Sequence, residues 1–327
     1  MLSSRLHAAL DKAATARFRP RRALVLRRPG GYAGRDDTRP CEEAALDAMT
    51  NPANSPPSFR FLQAIAADLG RQKVAFPTFS RATIKIRAAL EQPDLDGERL
   101  AQVVSTEPLL AARLVQMANS AALHPGGRPI GDVRSAILRV GTEAVKSVAV
   151  AVAMEQLRAD ASSPALQPFA EAVWRHSVDV AAVALVLAKR LSRINPDEAL
   201  FAGLVHDIGH FYLLCKAQNY PELERDPEEL QAILAEWHPS IGRAVLHEFQ
   251  LPDGVLDAVA EHENAHYRMP LRTLPDLVTL SNLVCGATNP VARYRAVAAS
   301  IRFEPEVARV LEEAKPEINA LASVLRG

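Results

Sequence analysis

"NPDEALFAGLVHDIGHFYLL" (residues 195–214) decides how the rest of the chain is read. It opens as a helix should: Asn195 suits the N-cap, Pro196 the first helical position, and Glu198 stands at capping-box spacing. The apolar run that follows belongs in a core, yet it carries His206, Asp207 and His210. Burying such groups costs free energy unless they have partners. Gly209 offers a stop or bend just after His206 and Asp207. The pair is therefore expected at the end of a buried helix, and a turn there lets both side chains reach one ion.

Outward from this stretch the pattern is helical. "AVWRHSVDVAAVALVLAKRL" (172–191) makes one long amphipathic helix carrying His176. Downstream, helices are expected over 227–237, 238–249, 251–262 and 274–288, with one or two more over 303–326. His238 would open its helix just before Pro239, where the helix dipole disfavours imidazolium and keeps the ring ligand-competent. Upstream, residues 100–121 have apolar residues at three and four spacing, with Pro108 starting a second helix. Asp132 is placed to cap the helix after it, and Thr142 the next one after Gly141. The pair around Pro108 invites a helix-turn-helix reading with Arg113 and Gln116 as base readers, but core packing is the better use of its apolar face. No period-two alternation is sustained, so strands are scarce. The polar groups on apolar helices are His176, His206, Asp207, His210, His238, His262 and Asn282. Imidazoles with a carboxylate suit divalent cations such as Mn, Fe or Zn.

The whole chain sets limits. Its 327 residues and near-half apolar composition allow a sizeable core, and its formal net charge is zero, so it does not read as a nucleic-acid binder. No apolar run spans a bilayer and no secretory signal is evident, so no membrane role is expected. Three widely spaced cysteines argue against a disulfide framework and fit a reducing cytoplasm. Residues 1–57 read as a flexible Arg-rich N-terminal extension and linker, with too little room for a sensor domain. A two-lobed region over 58–300 follows, divided into 58–160 and 165–300 by the polar break at 158–168, and then a C-terminal helical tail over 301–327.

The order "WRHS" (174–177), "HDIG" (206–209), "HPSIG" (238–242) and "EH" (261–262) resembles the HD superfamily of metal-dependent phosphohydrolases. The fuller resemblance is to its HDOD branch, a bacterial signalling output domain. It is carried by "FPTFSRATIKIRAAL" (76–90), "LAQVVSTEPLLAARLVQMANSA" (100–121), "VRSAILRVGTEAVKSVAVA" (133–151) and "ALFAGLVHDIG" (199–209), and covers about residues 70–290. Glu107 stands where the family usually has Asp.

The resemblance implies an all-α fold, with an N-terminal helical lobe and an HD-type helical bundle. It implies a non-catalytic regulatory module that binds signalling proteins or a small ligand, with a degenerate, primarily structural HD pocket of weak metal affinity. Asp207 would then accept hydrogen bonds from His176 or from backbone N–H groups. The alternative is a metal-dependent phosphohydrolase. There His176, His206 and Asp207 would hold one Mn, Fe, Zn or Mg ion and His238 and His262 a second, with Asp207 and His210 in catalytic roles. Two departures weigh against it. Asn282 occupies the place of the Asp that closes the metal shell in active relatives, and "EHENAHYRMP" (261–270) lacks the Gly-Tyr-Pro part of the HD-GYP phosphodiesterases. His210 holds the place of a phosphate-contacting Lys or His, and would share a face with His206 only if the helix continued past Gly209.

Overall fold

The computed structural model describes residues 56–70, 97–120, 129–160, 163–248 and 251–326. Most of the N-terminal extension and the 76–90 opening lie outside these residues. Among the described residues every regular element is helical, so the fold is all-α. The helices are α1 (Pro57–Gly70), α2 (Gly97–Ser105), α3 (Pro108–Ala118), α4 (Val133–Val140), α5 (Thr142–Asp160), α6 (Gln167–Leu191), α7 (Pro196–Val205) and α8 (Ile208–Ala217). They continue with α9 (Pro221–Glu224), α10 (Pro227–Glu248), α11 (Asp253–Glu261) and α12 (Leu274–Val284), then a 3-10 turn (Gly286–Thr288), α13 (Ala292–Ser300), α14 (Pro305–Glu313) and α15 (Lys315–Arg326).

Two of the expected caps form: Asp132 accepts from the Ser135 N–H at 2.8 Å and Asn195 from the Asp197 N–H at 2.9 Å. Thr142, expected to cap α5, is instead its first residue, and Thr273, not singled out in the sequence, caps α12 through the Asp276 N–H. The central element is α6. Its apolar residues are buried on several sides, because α7, α12 and α15 all pack against it. The α6–α7 approach needs Gly203: a Cβ there would lie 2.8 Å from the Ala181 Cα. That contact places His176 of α6 beside the end of α7.

The structure corrects several expectations. The 227–237 and 238–249 segments form one helix, α10, with Pro239 inside it. His238 is therefore mid-helix, and the helix-start argument for its neutrality does not apply. Gly209 does not stop α7. The chain turns at His206 and Asp207, and Gly209 already lies in α8, where a Cβ would meet the His238 carbonyl oxygen at 2.0 Å. Its role is close helix approach. The 274–288 helix ends at Val284.

Lobe membership also differs. Helix α1 falls in the segment assigned to the first lobe but packs on α8, α9 and α10 of the second. Arg60 pairs with Glu222 at 2.7 Å, Lys216 with Asp68 at 2.6 Å, and the Phe61 and Tyr220 rings meet edge to face. Arg113 is not a base reader. It is buried, and donates to the Leu325 carbonyl and to Glu155, both at 2.6 Å.

Candidate metal centre

Six helices bring the polar residues of the core to one point. His176 comes from α6, His206 and Asp207 from the α7–α8 turn, His210 from α8, His238 from α10, and His262 from the end of α11. All of these are buried. Asn282 of α12 completes the group. The seven residues singled out in the sequence therefore converge.

Three imidazoles are oriented by their own helices. Nδ1 of His206 lies 2.7 Å from the Gly203 carbonyl, Nδ1 of His238 2.8 Å from that of Leu234, and Nδ1 of His262 2.7 Å from that of Val259. A carbonyl only accepts, so each Nδ1 carries the hydrogen. In the neutral ring Nε2 is then a bare lone pair. All three Nε2 atoms face the Asp207 carboxylate, at 3.4 Å (His206), 3.5 Å (His238) and 3.4 Å (His262). This outer arrangement is the one that orients metal-ligating histidines.

His210 completes the ring of imidazoles. Its Nε2 is 3.8 Å from Asp207, and it stacks flat on His238 with centroids 3.8 Å apart. It meets the cluster because the chain turns at Asp207, without a helix running on from His206.

Asp207 does not accept the hydrogen bonds expected of it. Both of its carboxylate oxygens are buried and have no hydrogen-bond partner, and neither has Nε2 of His206. Burial alone would raise the Asp207 pKa, but the imidazoles packed around it hold it well below the usual carboxylate range. The Nε2 atoms of His238 and His262 stand 3.1 Å apart. Two lone pairs at that distance repel unless a proton or a cation lies between them. A bare carboxylate ringed by aimed lone pairs fits a divalent cation.

The structure adds Glu263, which sequence reasoning missed. Its Oε1 is 3.6 Å from Nε2 of both His238 and His262. Two overlapping groups are close enough to share an ion: Asp207, His238, His262 and Glu263, and His176, His206 and Asp207. The signal for Glu263 was present in "EHEN", since His262–Glu263 repeats the His206–Asp207 arrangement of a helix-ending His followed by an acid.

His176 behaves differently. Its Nε2 lies 2.8 Å from Oδ1 of Asn282, whose amide donates to the His262 carbonyl at 3.0 Å. That second bond fixes the amide orientation, so the His176 Nε2–H donates to Asn282. Burial pushes the His176 pKa down to about 4, and burial likewise lowers that of His210. Buried Asn289, in a loop with no sequence signal, donates to Glu263 and to Asn282 at 3.3 Å each.

An all-helical bundle with a convergent His/Asp cluster defines the HD class. Within it the match is to the HDOD domain, over residues 76–265, and the chain belongs to that family. The fold is similar to that of a proposed metal-dependent phosphohydrolase from Shewanella amazonensis SB2B, at 23% identity and TM-score 0.65, covering 82% of this chain and 99% of that one. It is also similar to an HDOD domain protein of unknown function from Geobacter sulfurreducens, at 19% identity and TM-score 0.55, covering 85% and 99%. A curated relative from Treponema pallidum (strain Nichols), an uncharacterized protein, is 23% identical over 255 residues, 72% of this chain. The chain spans about half the length of that relative, at 47%. Among the described residues, no helix is long and apolar enough to cross a membrane.

Proposed function

We propose that the chain is a regulatory output module that acts by binding a partner protein or small ligand, and that its pocket holds one divalent cation joining the helices of the second lobe. The observation that carries this reading is enclosure. His176, His206, His210, His238 and His262 are each 0% exposed and Asp207 1%. The cavity beside the cluster, bordered by Glu263 and Asn282 but by none of the histidines, has a volume of about 10 Å³, room for roughly one water molecule. The Asn282 amide also engages His176, withdrawing that ring's Nε2 from the ligand set.

The residues that would hold the cation are Asp207, His238, His262 and Glu263, with His206 beside them. The cation would supply the positive charge that the two carboxylates lack, and in a hydrolase it would also polarise a phosphoryl group and activate water. The protein's own contribution is to aim the Nε2 atoms, keep Asp207 ionised, and exclude solvent.

The test is to load the wild type and Asp207→Ala with Mn²⁺, Fe²⁺ or Zn²⁺ and assay both on bis-p-nitrophenyl phosphate. We expect metal to raise the melting temperature of the wild type alone, with no turnover by either protein. Turnover by the wild type that disappears in Asp207→Ala would promote the metal-dependent phosphohydrolase reading in its place.

A further inference from the structure

Helix α10 contains Pro239 one residue beyond His238. Proline has no N–H, so the carbonyl four residues back, that of Ala235, loses its partner within the helix. A freed carbonyl near a core needs a donor. Two donors come from α13: Arg293 Nη2 lies 2.7 Å from the Ala235 oxygen, and the Tyr294 hydroxyl 3.2 Å from it. Arg293 also donates to the Tyr294 oxygen at 2.5 Å and lies over its ring, so the two side chains act as one unit.

Little else holds α13 itself in place, although the residues leading into it are anchored by buried Gly286, Asn289 and Val291. None of its residues is fully buried. Yet this segment lies against the edge of the histidine cluster. Tyr294, Val297 and Ala298 form one wall of the small cavity whose other wall includes Glu263 and Asn282. The Tyr294 ring lies 6.3 Å from that of His238. Just before α13, the 3-10 turn brings Thr288 to 3.2 Å from His176 Nδ1, and Asn289 follows it into the site.

We propose that residues 286–300 are a hinged cover over the histidine cluster, latched by Arg293 and Tyr294 on the carbonyl that Pro239 leaves free. The cluster is sealed while the latch is closed, and an ion or small ligand enters when α13 lifts. The proposal rests on the reading of the cluster as a binding pocket for its purpose, but its geometry does not depend on which ion binds. The latch carbonyl and His238 lie on the same turn of α10, so the state of the cover is tied directly to the position of one pocket imidazole.

The experiment uses the full chain in EDTA and diethyl pyrocarbonate, which modifies accessible imidazole. Modification of His238 and His262 is followed by peptide mass spectrometry and normalised to exposed His266. The variants are Tyr294→Phe, which removes one donor and keeps the ring, and the double variant Arg293→Ala/Tyr294→Phe. Arg113→Met, which weakens the fold by removing contacts to Glu155, Leu325 and Arg326 and none to α13, is the control. We expect the double variant to be modified about tenfold faster than wild type, the single variant by less, and Arg113→Met at the wild-type rate, a difference of the size expected for one or two lost hydrogen bonds. Amide exchange over 286–300 should rise in the double variant. Unchanged modification in the double variant, or equal acceleration by Arg113→Met, would overturn the cover. Because no ion is present, failure of the cation reading leaves this result standing, and the two ideas fail separately.

Discussion

At the residue scale, Asn282 decides what the pocket can hold. Its carbonyl oxygen takes the His176 Nε2–H, and its amide takes the His262 carbonyl. Asn282→Asp removes the amide donor and adds a charge, so the two effects have opposite signs. Without metal, the orphaned His262 carbonyl and the added buried charge should cost about 1–3 kcal/mol. With Zn²⁺ or Mn²⁺, the added carboxylate should more than offset that cost. Melting temperatures in EDTA and with added metal should therefore cross: the variant lower in the first, higher in the second. A variant lower in both would show that Asn282 is not beside the cation. His176 gives a pH prediction. Its pKa is lowered from 6.5 to about 4, burial being the main cause. Below 6.5 the unfolded ring gains a proton that the native ring refuses. Stability contributed by the neutral ring is thus whole above 6.5 and falls as pH drops toward 4, by up to about 1.4 kcal/mol per unit. His210 shifts the same way, and Asp207 stays ionised through this window. Melts in EDTA between pH 7.5 and 4.5 should show this decline, and His176→Asn should make it shallower. An equal slope in the variant would mean that other groups carry the proton uptake.

At the element scale, the site is made by two close helix approaches and one turn. Helices α8 and α10 meet where Gly209 faces the His238 carbonyl and the Gly242 N–H. Gly209→Ala would drive a methyl group into backbone, which cannot yield as a side-chain tip can. The helices must part, at the upper end of the roughly 1–3 kcal/mol typical of overpacking. That movement carries Asp207 and His210 away from His238. Urea unfolding should show the loss of stability, and titration with Zn²⁺ should show weaker binding in the same variant. Full stability with intact binding would place Gly209 away from the contact. Much of this level was legible in the sequence, because caps and hydrophobic spacing are local: Asp132, Asn195 and Pro196 all act as their positions suggest. The convergence of His176, His206, Asp207, His238 and His262 was legible through their family order. The continuity of α10 was not. Proline is a poor guide when the carbonyl it frees finds donors 58 and 59 residues away, at Arg293 and Tyr294. Asn289 escaped for a similar reason, since its role depends on which helices converge and not on any local pattern, whereas Glu263 did carry a local signal in the His262–Glu263 pair.

At the scale of the whole molecule, α5 of the first lobe packs on α6, α7 and α8 of the second, and the end of the chain's last described helix adds a further junction. α15 packs on both α6 and α3. Its final carbonyls, which have no partner within the helix, are reached by Arg113 from the first lobe: 2.6 Å to Leu325 and 3.4 Å to Arg326. Arg326 in turn pairs with Asp179 of α6. Arg113 is 5% exposed, while the side chain of its partner Glu155 is 21% exposed, so water screens part of that ion pair. Arg113→Met keeps most of the apolar stem but leaves the Leu325 carbonyl and Glu155 without their donor. The expected loss is about 1–3 kcal/mol. Its distribution matters more than its size. The protein has two tryptophans, Trp174 on α6 and Trp237 on α10, and both report on the second lobe. Far-ultraviolet circular dichroism reports on helices of both lobes. In the wild type, where Arg113 adds to the contacts of α5 with the second lobe, urea transitions by fluorescence and by circular dichroism should coincide, as one cooperative unit requires. In Arg113→Met the first lobe should unfold at lower urea, so the circular dichroism transition begins before the fluorescence transition. Coincident transitions in the variant, shifted together, would show that the contacts of α5 and α15 join the lobes without this arginine.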